Sequence, residues 1–285
     1  MPILVIGSTG QVGSEVVNQL LSRNAEVRAL VHEEKPELPR EVKLIRGDIN
    51  DIDAMRKALA GITTLFLLNP VVPDELSRAL VCLDLAVEAG VKGVVYFSMF
   101  HSDIFLDCPH ASAKYATEQM IRYSELPTTI LRPNYFFQND ATSVLKSGIY
   151  MMPIGSLGVS MVDVRDIAEV AALSLIEREN AEAPLPTKII EIHGPDVMTS
   201  ESAVALWSNI LGKKVAYPGD DLRAAEERFR STMPSAAAYD VVSMFRGFQR
   251  HGMVADPKAV DSVRQLLGRP LRTYRQYAEE AAKAA

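Results

Sequence analysis

Gly7, Gly10 and Gly13 stand three residues apart, directly behind the apolar run Ile3–Ile6. Ahead of them lies a segment in which Val12, Val16, Val17, Leu20 and Leu21 share one helical face. A strand that turns on glycine into a helix suits a dinucleotide pyrophosphate. Gly7 permits the sharp exit, Gly10 lets backbone approach the phosphates, and Gly13 lets the helix pack close to the sheet. Unpaired amides in the first turn and the positive end of the helix dipole complete an anion site. The expected cofactor-binding residues of this turn are therefore Gly7, Ser8, Thr9, Gly10, Gln11, Val12 and Gly13.

A second constellation pairs His110 with Lys114, four residues apart in a segment that continues through Thr117, Met120 and Ile121 with helical spacing. That spacing places imidazole and ammonium on one face. The lysine suits the hydroxyls of a nicotinamide ribose, and the histidine suits proton donation near neutral pH. His32 ends the second strand, where an acid would bond the ribose hydroxyls and repel a 2′-phosphate. With no acid at that position, NADP(H) is the preferred cofactor and NAD(H) the alternative, and His32 and Lys35 are the candidate phosphate partners. Asp48 closes the third strand beside Ile49, either to accept from the adenine amino group or to cap the following helix, for which Asp51 is better placed. The segment 131–139 carries Pro133, Asn134 and Phe136, which could flank a nicotinamide ring; Phe137 could equally pack a crossover.

Strand-like and helical runs alternate in the order needed to hold these groups: strands at 3–6, 26–31, 42–46, 64–68, 93–97 and 128–132, with helices at 11–22, 52–60, 75–89 and 112–124. Such βαβ repetition predicts an α/β fold with a doubly wound parallel sheet, its ligands at the carboxyl ends of the strands. Gly7, His32, Asp48, Asn69 with Pro70, Ser98 and Pro133 end those strands and are expected to rim one crevice. Beyond about residue 140 the pattern loosens, with an apolar run at 161–164, a helix from 166 to about 177 and a strand at 188–193. Residues 200–285 read as largely helical, broken at Pro218-Gly219 and Met233-Pro234. The expected division is a nucleotide-binding domain over 1–150 and a smaller, mainly helical C-terminal substrate lobe over 151–285. Segments from about 160–195 are expected to return to the sheet. Met151, Met152, Met161, Tyr239, Met244, Phe245 and Phe248 either pack that lobe or line an apolar substrate cleft.

At 285 residues and 48% hydrophobic, the chain can bury a large core, and its net charge of −6 with no basic stripe excludes nucleic acid as the main partner. Cys82 and Cys108 are too few for a disulfide framework and fit a reducing cytosol, so a cytoplasmic location is expected. No apolar run reaches the length of a membrane span, and the N-terminus lacks the basic region of a leader peptide. There is no Gly-x-Ser-x-Gly elbow, His-Glu-x-x-His or Cys-x-x-Cys, and Cys108, His110, His101 and Asp103 make only a loose cluster, so no metal is expected.

Taken together, the three glycines, Gly47-Asp48, His110-x-x-x-Lys114 with Glu118, Thr129–Pro133, Val162–Ala168 and the Leu267-Gly268-Arg269-Pro270 segment resemble the NmrA-like family of atypical short-chain dehydrogenases/reductases. The resemblance implies a Rossmann-type domain binding NADP(H), sometimes NAD(H), with a small C-terminal lobe over the nicotinamide. Family members include reductases of quinones and triphenylmethane dyes, and also redox-sensing regulators without catalysis. In ordinary short-chain dehydrogenases the residue four before the lysine is a catalytic tyrosine, whereas His110 stands there in this chain. The resulting expectation is an NAD(P)H-dependent reductase of a small apolar carbonyl, quinone or conjugated substrate, with Lys114 and His110 as catalytic residues. The alternative is a catalytically silent dinucleotide sensor that binds a protein partner. A homo-oligomer is compatible with either.

Overall fold

The computed structural model describes residues 1–32, 38–124 and 126–285. The elements run β1 (Ile3–Ile6), α1 (Gln11–Leu21), β2 (Val27–Val31), β3 (Lys43–Arg46), α2 (Ile52–Leu59), β4 (Thr64–Leu67), α3 (Glu75–Glu88), β5 (Gly93–Phe97), α4 (Pro109–Ser124) and β6 (Thr128–Pro133). The chain continues with α5 (Gln138–Ser147), β7 (Val159–Ser160), α6 (Val164–Asn180), β8 (Lys188–Ile192) and β9 (Val197–Met198). Five helices follow: α7 (Ser200–Leu211), α8 (Leu222–Phe229), α9 (Ser235–His251), α10 (Pro257–Leu267) and α11 (Tyr274–Ala284).

Among the described residues, seven strands form one sheet in the order β3-β2-β1-β4-β5-β6-β8. Neighbours from β3 through β6 pair in parallel, with Val5 opposite both Ala29 and Phe66. At β8, Thr128 N bonds Thr187 Oγ1 at one end and Asn134 N bonds Ile192 O at the other, so that strand runs the same way. Strand order reverses between β1 and β4, and in such sheets the crevice outside the carboxyl ends at the reversal is the ligand site. β1, β2, β4 and β5 are buried throughout, as strands covered on both faces must be. One face carries a continuous core of Leu4, Leu65, Leu67 and Val94 against Met55 and Leu59 of α2 and Leu83 and Ala86 of α3.

The helices begin and end where capping chemistry dictates. Asp51 accepts from the amides of Asp53 and Ala54 and so starts α2, the capping role expected of it. α4 starts at Pro109, three residues before the expected 112, because proline fits a first helical turn; His110 thereby falls inside that turn. α6 runs from Val164 to Asn180, longer at both ends than expected.

The chain divides into two compact units, neither of them one stretch of sequence. The first comprises 1–99, 113–132 and 167–190; the second comprises 100–112, 133–166 and 191–285. In the first unit α6 packs through Arg178, whose guanidinium bonds Thr129 Oγ1 (2.9 Å) and the carbonyls of Leu185 and Pro186. In the second, Phe105, Tyr135, Phe245 and Phe248 build an aromatic core, so of the residues expected either to pack the lobe or to line a cleft, Phe245 and Phe248 pack. Among the described residues no helix is long and apolar enough to cross a membrane.

Candidate functional site

The turn after β1 divides its three glycines by what a side chain would meet. Gly7 lies at φ +79°, and a Cβ there would come within 2.6 Å of Leu68 O, just past the end of β4. At Gly13 a Cβ would lie 2.0 Å from Gly7 O, so only glycine lets α1 close on the strand. Gly10 differs, since its Cβ would meet nothing nearer than Gly7 O at 3.4 Å. Its openness leaves space above the backbone for a ligand. No side chain caps α1, which leaves the positive helix end to an outside anion. Thr9 and Gln11 are exposed, Val12 and Gly13 are buried, and Ser8 is fully buried with no partner for its Oγ.

Across the strand-order reversal, Asn69 stands buried behind β4. Its Nδ2 donates to Glu75 O (3.2 Å), while Oδ1 has no hydrogen-bond partner. Ser8 and Asn69 thus leave unsatisfied oxygens at the carboxyl ends of the two strands flanking the reversal, where a ligand rich in hydroxyl and amide donors would satisfy them. A cradle that a Cβ would fill and these orphaned acceptors both fit a dinucleotide. Pro70 is exposed beside Asn69, and Ile49 is buried in the core.

His32 and Asp48, expected to contact different parts of the cofactor, contact each other through Nε2 and Oδ2, the imidazole exposed. Asp48 also accepts from Asn50 N (2.6 Å), so its carboxylate is shared between the histidine and the turn. Lys35 lies outside the described residues.

Lys114 is 5% exposed, and its ammonium donates to Phe97 O at the end of β5 (3.2 Å). Glu75, at the start of α3 and 2% exposed, brings Oε1 to 2.8 Å from the same nitrogen. Burial works against the charged ammonium, but Glu75, with smaller contributions from Tyr96 and Glu118, outweighs it and raises the lysine above its ordinary range. Ser98, expected on the rim, turns inward: its Oγ donates to Glu118 (2.5 Å), which also receives Arg132 at both oxygens (3.0 and 2.6 Å). This fully enclosed carboxylate locks β5, α4 and β6 together.

His110 pairs with a different acid from the one that holds Lys114. Its Nδ1 lies 3.0 Å from both carboxylate oxygens of Asp240, and its backbone N–H donates to Oδ1 at 3.0 Å, which makes Asp240 a long-range cap of α4. The carboxyl of Asp240 is opposed by its burial, yet its bonds to His110 hold it below the usual carboxylate range. Cys108 Sγ lies 3.3 Å from Nδ1 but also 4.0 Å from Nε2, so the sulfur sits beside the ring, off the axis along which that nitrogen would bind a metal. Burial pushes the Cys108 thiol up to about 12. His101 stacks on Phe100 (3.7 Å between centroids) and is not part of the Cys108 group.

Farther along, Asn134 donates to Met253 O (2.7 Å), contacts His193 Nδ1 (3.1 Å) and accepts from Tyr135 N (2.8 Å), so its amide is taken up within the second unit. Pro133 is buried, Phe136 is half-buried and bridges to Val162, and Phe137 is buried against Tyr274. The run Val162–Ala168 proves to be a fastener. Asp163 accepts from Gln138 (3.0 Å) and Arg165, and Asp166 receives Arg269 (2.8 Å) and the amide of Arg272 (2.9 Å). The residues that sequence reasoning missed are Glu75 and Asp240. Glu75 is one acid at a helix start where acids are ordinary, and Asp240 lies 130 positions from its partner.

A doubly wound parallel sheet with a glycine turn beside its strand-order reversal defines the Rossmann class of α/β proteins. Within that class the chain belongs to the NmrA-like family, whose model matches residues 1–279. It is 29% identical to an NAD(P)H azoreductase of Xenophilus azovorans over 99% of this chain and 98% of that one. Among solved structures it resembles the triphenylmethane reductase of Citrobacter sp. (TM-score 0.84, 22% identity, 99% of this chain and 100% of that one). It also resembles the NADPH-dependent quinone oxidoreductase of Escherichia coli complexed with NADPH (TM-score 0.82, 24% identity, 98% of this chain and 99% of that one).

Proposed function

We propose that this chain is an NAD(P)H-dependent reductase of a small, flat or apolar acceptor such as a quinone, conjugated carbonyl or azo compound, with NADPH preferred over NADH. The observation that carries the reading is the turn at Gly7–Gly13, with its open Gly10, uncapped helix start and neighbouring orphaned acceptors on Ser8 and Asn69. Full-length relatives named as reductases supply the reaction class. Bound NAD(P)H supplies a hydride, and the acceptor takes that hydride and one proton.

Each residue then has a stated task. The α1 amides hold the pyrophosphate, and His32 answers the 2′-phosphate. Lys114 holds the nicotinamide ribose and adds positive potential near the reacting centre. His110, earlier on the same helix, is the proton source, its Nδ1 engaged by Asp240 so that Nε2 is the nitrogen left to exchange. Quinone acceptors need that proton least, because their reduced oxyanions are already stabilised.

Calorimetry of NADPH and NADH binding, followed by NADPH oxidation with a panel of quinones, enones, aldehydes and azo dyes, tests the proposal. Tight NADPH binding with turnover of at least one acceptor class is expected. Binding without turnover of any acceptor would favour a dinucleotide sensor instead, and failure to bind either dinucleotide would overturn the reading. His110→Ala should lower aldehyde reduction more than quinone reduction while leaving NADPH affinity nearly intact.

A further inference from the structure

Glu75 is a buried carboxylate with one close partner. It sits in the first turn of α3, 2% exposed, with Oε1 2.8 Å from Lys114 Nζ. That contact is close but bent, and neither carboxylate oxygen has a well-directed hydrogen-bond donor. Burying a carboxylate this way carries a large desolvation cost, and apolar residues in place of both Glu75 and Lys114 would pack here at lower cost. Its presence calls for a reason beyond stability.

The geometry of the ammonium supplies one. Lys114 has three N–H donors. Phe97 O takes one at 3.2 Å and Glu75 draws a second, which leaves the third free and fixes its direction. The aromatic ring of Phe97, its centroid 6.0 Å from Nζ, bounds another side of the ammonium. We infer that Glu75 is a positioning residue for cofactor binding, anchoring Lys114 so that its remaining N–H is presented to the nicotinamide ribose. This inference rests on the NAD(P)H reading above.

The charges facing Lys114 agree. Glu75 on α3, Tyr96 on β5 and Glu118 on its own helix surround it, and Arg132 of β6 already neutralises Glu118. Burial alone would drive this lysine towards its neutral form, and Glu75 is the largest opposing influence. Without Glu75 the ammonium would lose its proton at a lower pH and with it the ribose contact.

The test measures NADPH affinity of the full chain against pH for wild type and Glu75→Gln, with 2′,5′-ADP, which lacks the nicotinamide ribose, as the control ligand. The variant should bind NADPH about tenfold more weakly at neutral pH, as loss of one charge-assisted hydrogen bond implies. It should weaken further as pH rises between about 7 and 10, where wild type stays flat. Its affinity for 2′,5′-ADP should be unchanged. A Glu75→Gln protein whose NADPH affinity and pH profile match wild type would overturn the inference. So would equal losses for NADPH and 2′,5′-ADP, which would mark a general structural role. If Glu75→Gln does not fold, Glu75→Asp keeps the charge but withdraws the carboxylate, and should weaken NADPH with no new pH step; wild-type affinity in that variant would overturn the inference equally. Failure of wild type to bind NADPH would instead remove the functional reading on which it rests.

Discussion

Among single residues, three glycines that look equivalent in the sequence divide into two that the fold requires and one, Gly10, that it leaves open. Gly13→Ala would drive a Cβ to 2.0 Å from Gly7 O. It should destabilise the protein by about 3 kcal/mol, the upper end of overpacking costs, read as a shift in urea midpoint. The Cβ of Gly10→Val meets only an ordinary 3.4 Å contact, so the protein should still fold, at a cost of about 1 kcal/mol for valine at the α1 N-cap, and lose dinucleotide binding by calorimetry. A variant that kept NADPH affinity would show that the phosphates pass elsewhere. His32→Asp would set a second carboxylate beside Asp48, so the NADPH-to-NADH affinity ratio should fall by about tenfold through repulsion of the 2′-phosphate. An unchanged ratio would move cofactor discrimination away from the end of β2.

Between elements, buried charges join apolar contacts in fixing the positions of α4 and its neighbours. Glu118 receives Ser98 and both arms of Arg132 with no exposure to solvent. Glu118→Ala leaves a guanidinium buried without its partner and should cost about 3–5 kcal/mol in chemical denaturation. Removing both charges together by Glu118→Leu with Arg132→Met should cost much less, because neither charge is then left buried without the other. Equal losses in the single and double variants would mean that packing, not the ion pair, sets the stability here.

For the molecule as a whole, stability should depend on pH through Asp140, which joins α5 to α11. Tyr150 and Tyr274 donate to its Oδ2 at 3.0 and 2.7 Å, and Trp207 donates to the Tyr274 hydroxyl at 2.8 Å. Complete burial pushes this carboxyl from 3.8 up to about 7. Between those values the folded protein keeps a proton that the unfolded chain has lost, so stability should fall as pH rises. The slope is at most about 1.4 kcal/mol per pH unit, flattening above about pH 7. Asp140→Asn should remove that slope from urea melts taken between pH 4.5 and 8.5, and a persisting slope would assign it to other groups. Chain connectivity carries a second expectation. Residues 1–150 alone lack Arg178, Glu179 and β8, which complete the first unit, and leave β6 as an open edge. That fragment should show no cooperative unfolding transition.

Local periodicity and turn chemistry made the strands from Ile3 to β6, the helices between them and the glycine turn legible in the sequence. Each is specified within about ten residues, by alternation, by caps such as Asp51 and by the small residues a tight turn needs. The pattern of Val162–Ala168 was legible as a motif but not as a fastener, since its partners Arg269 and Arg272 lie more than 100 positions away. Pairing across such distances decided the rest of the site. Four-residue spacing put His110 and Lys114 on one helical face, yet tertiary contacts joined the imidazole to Asp240 and the ammonium to Glu75, each a buried carboxylate from a distant part of the chain. Spacing along a helix determines which way side chains leave the backbone, while only the folded chain determines which charges wait there to meet them.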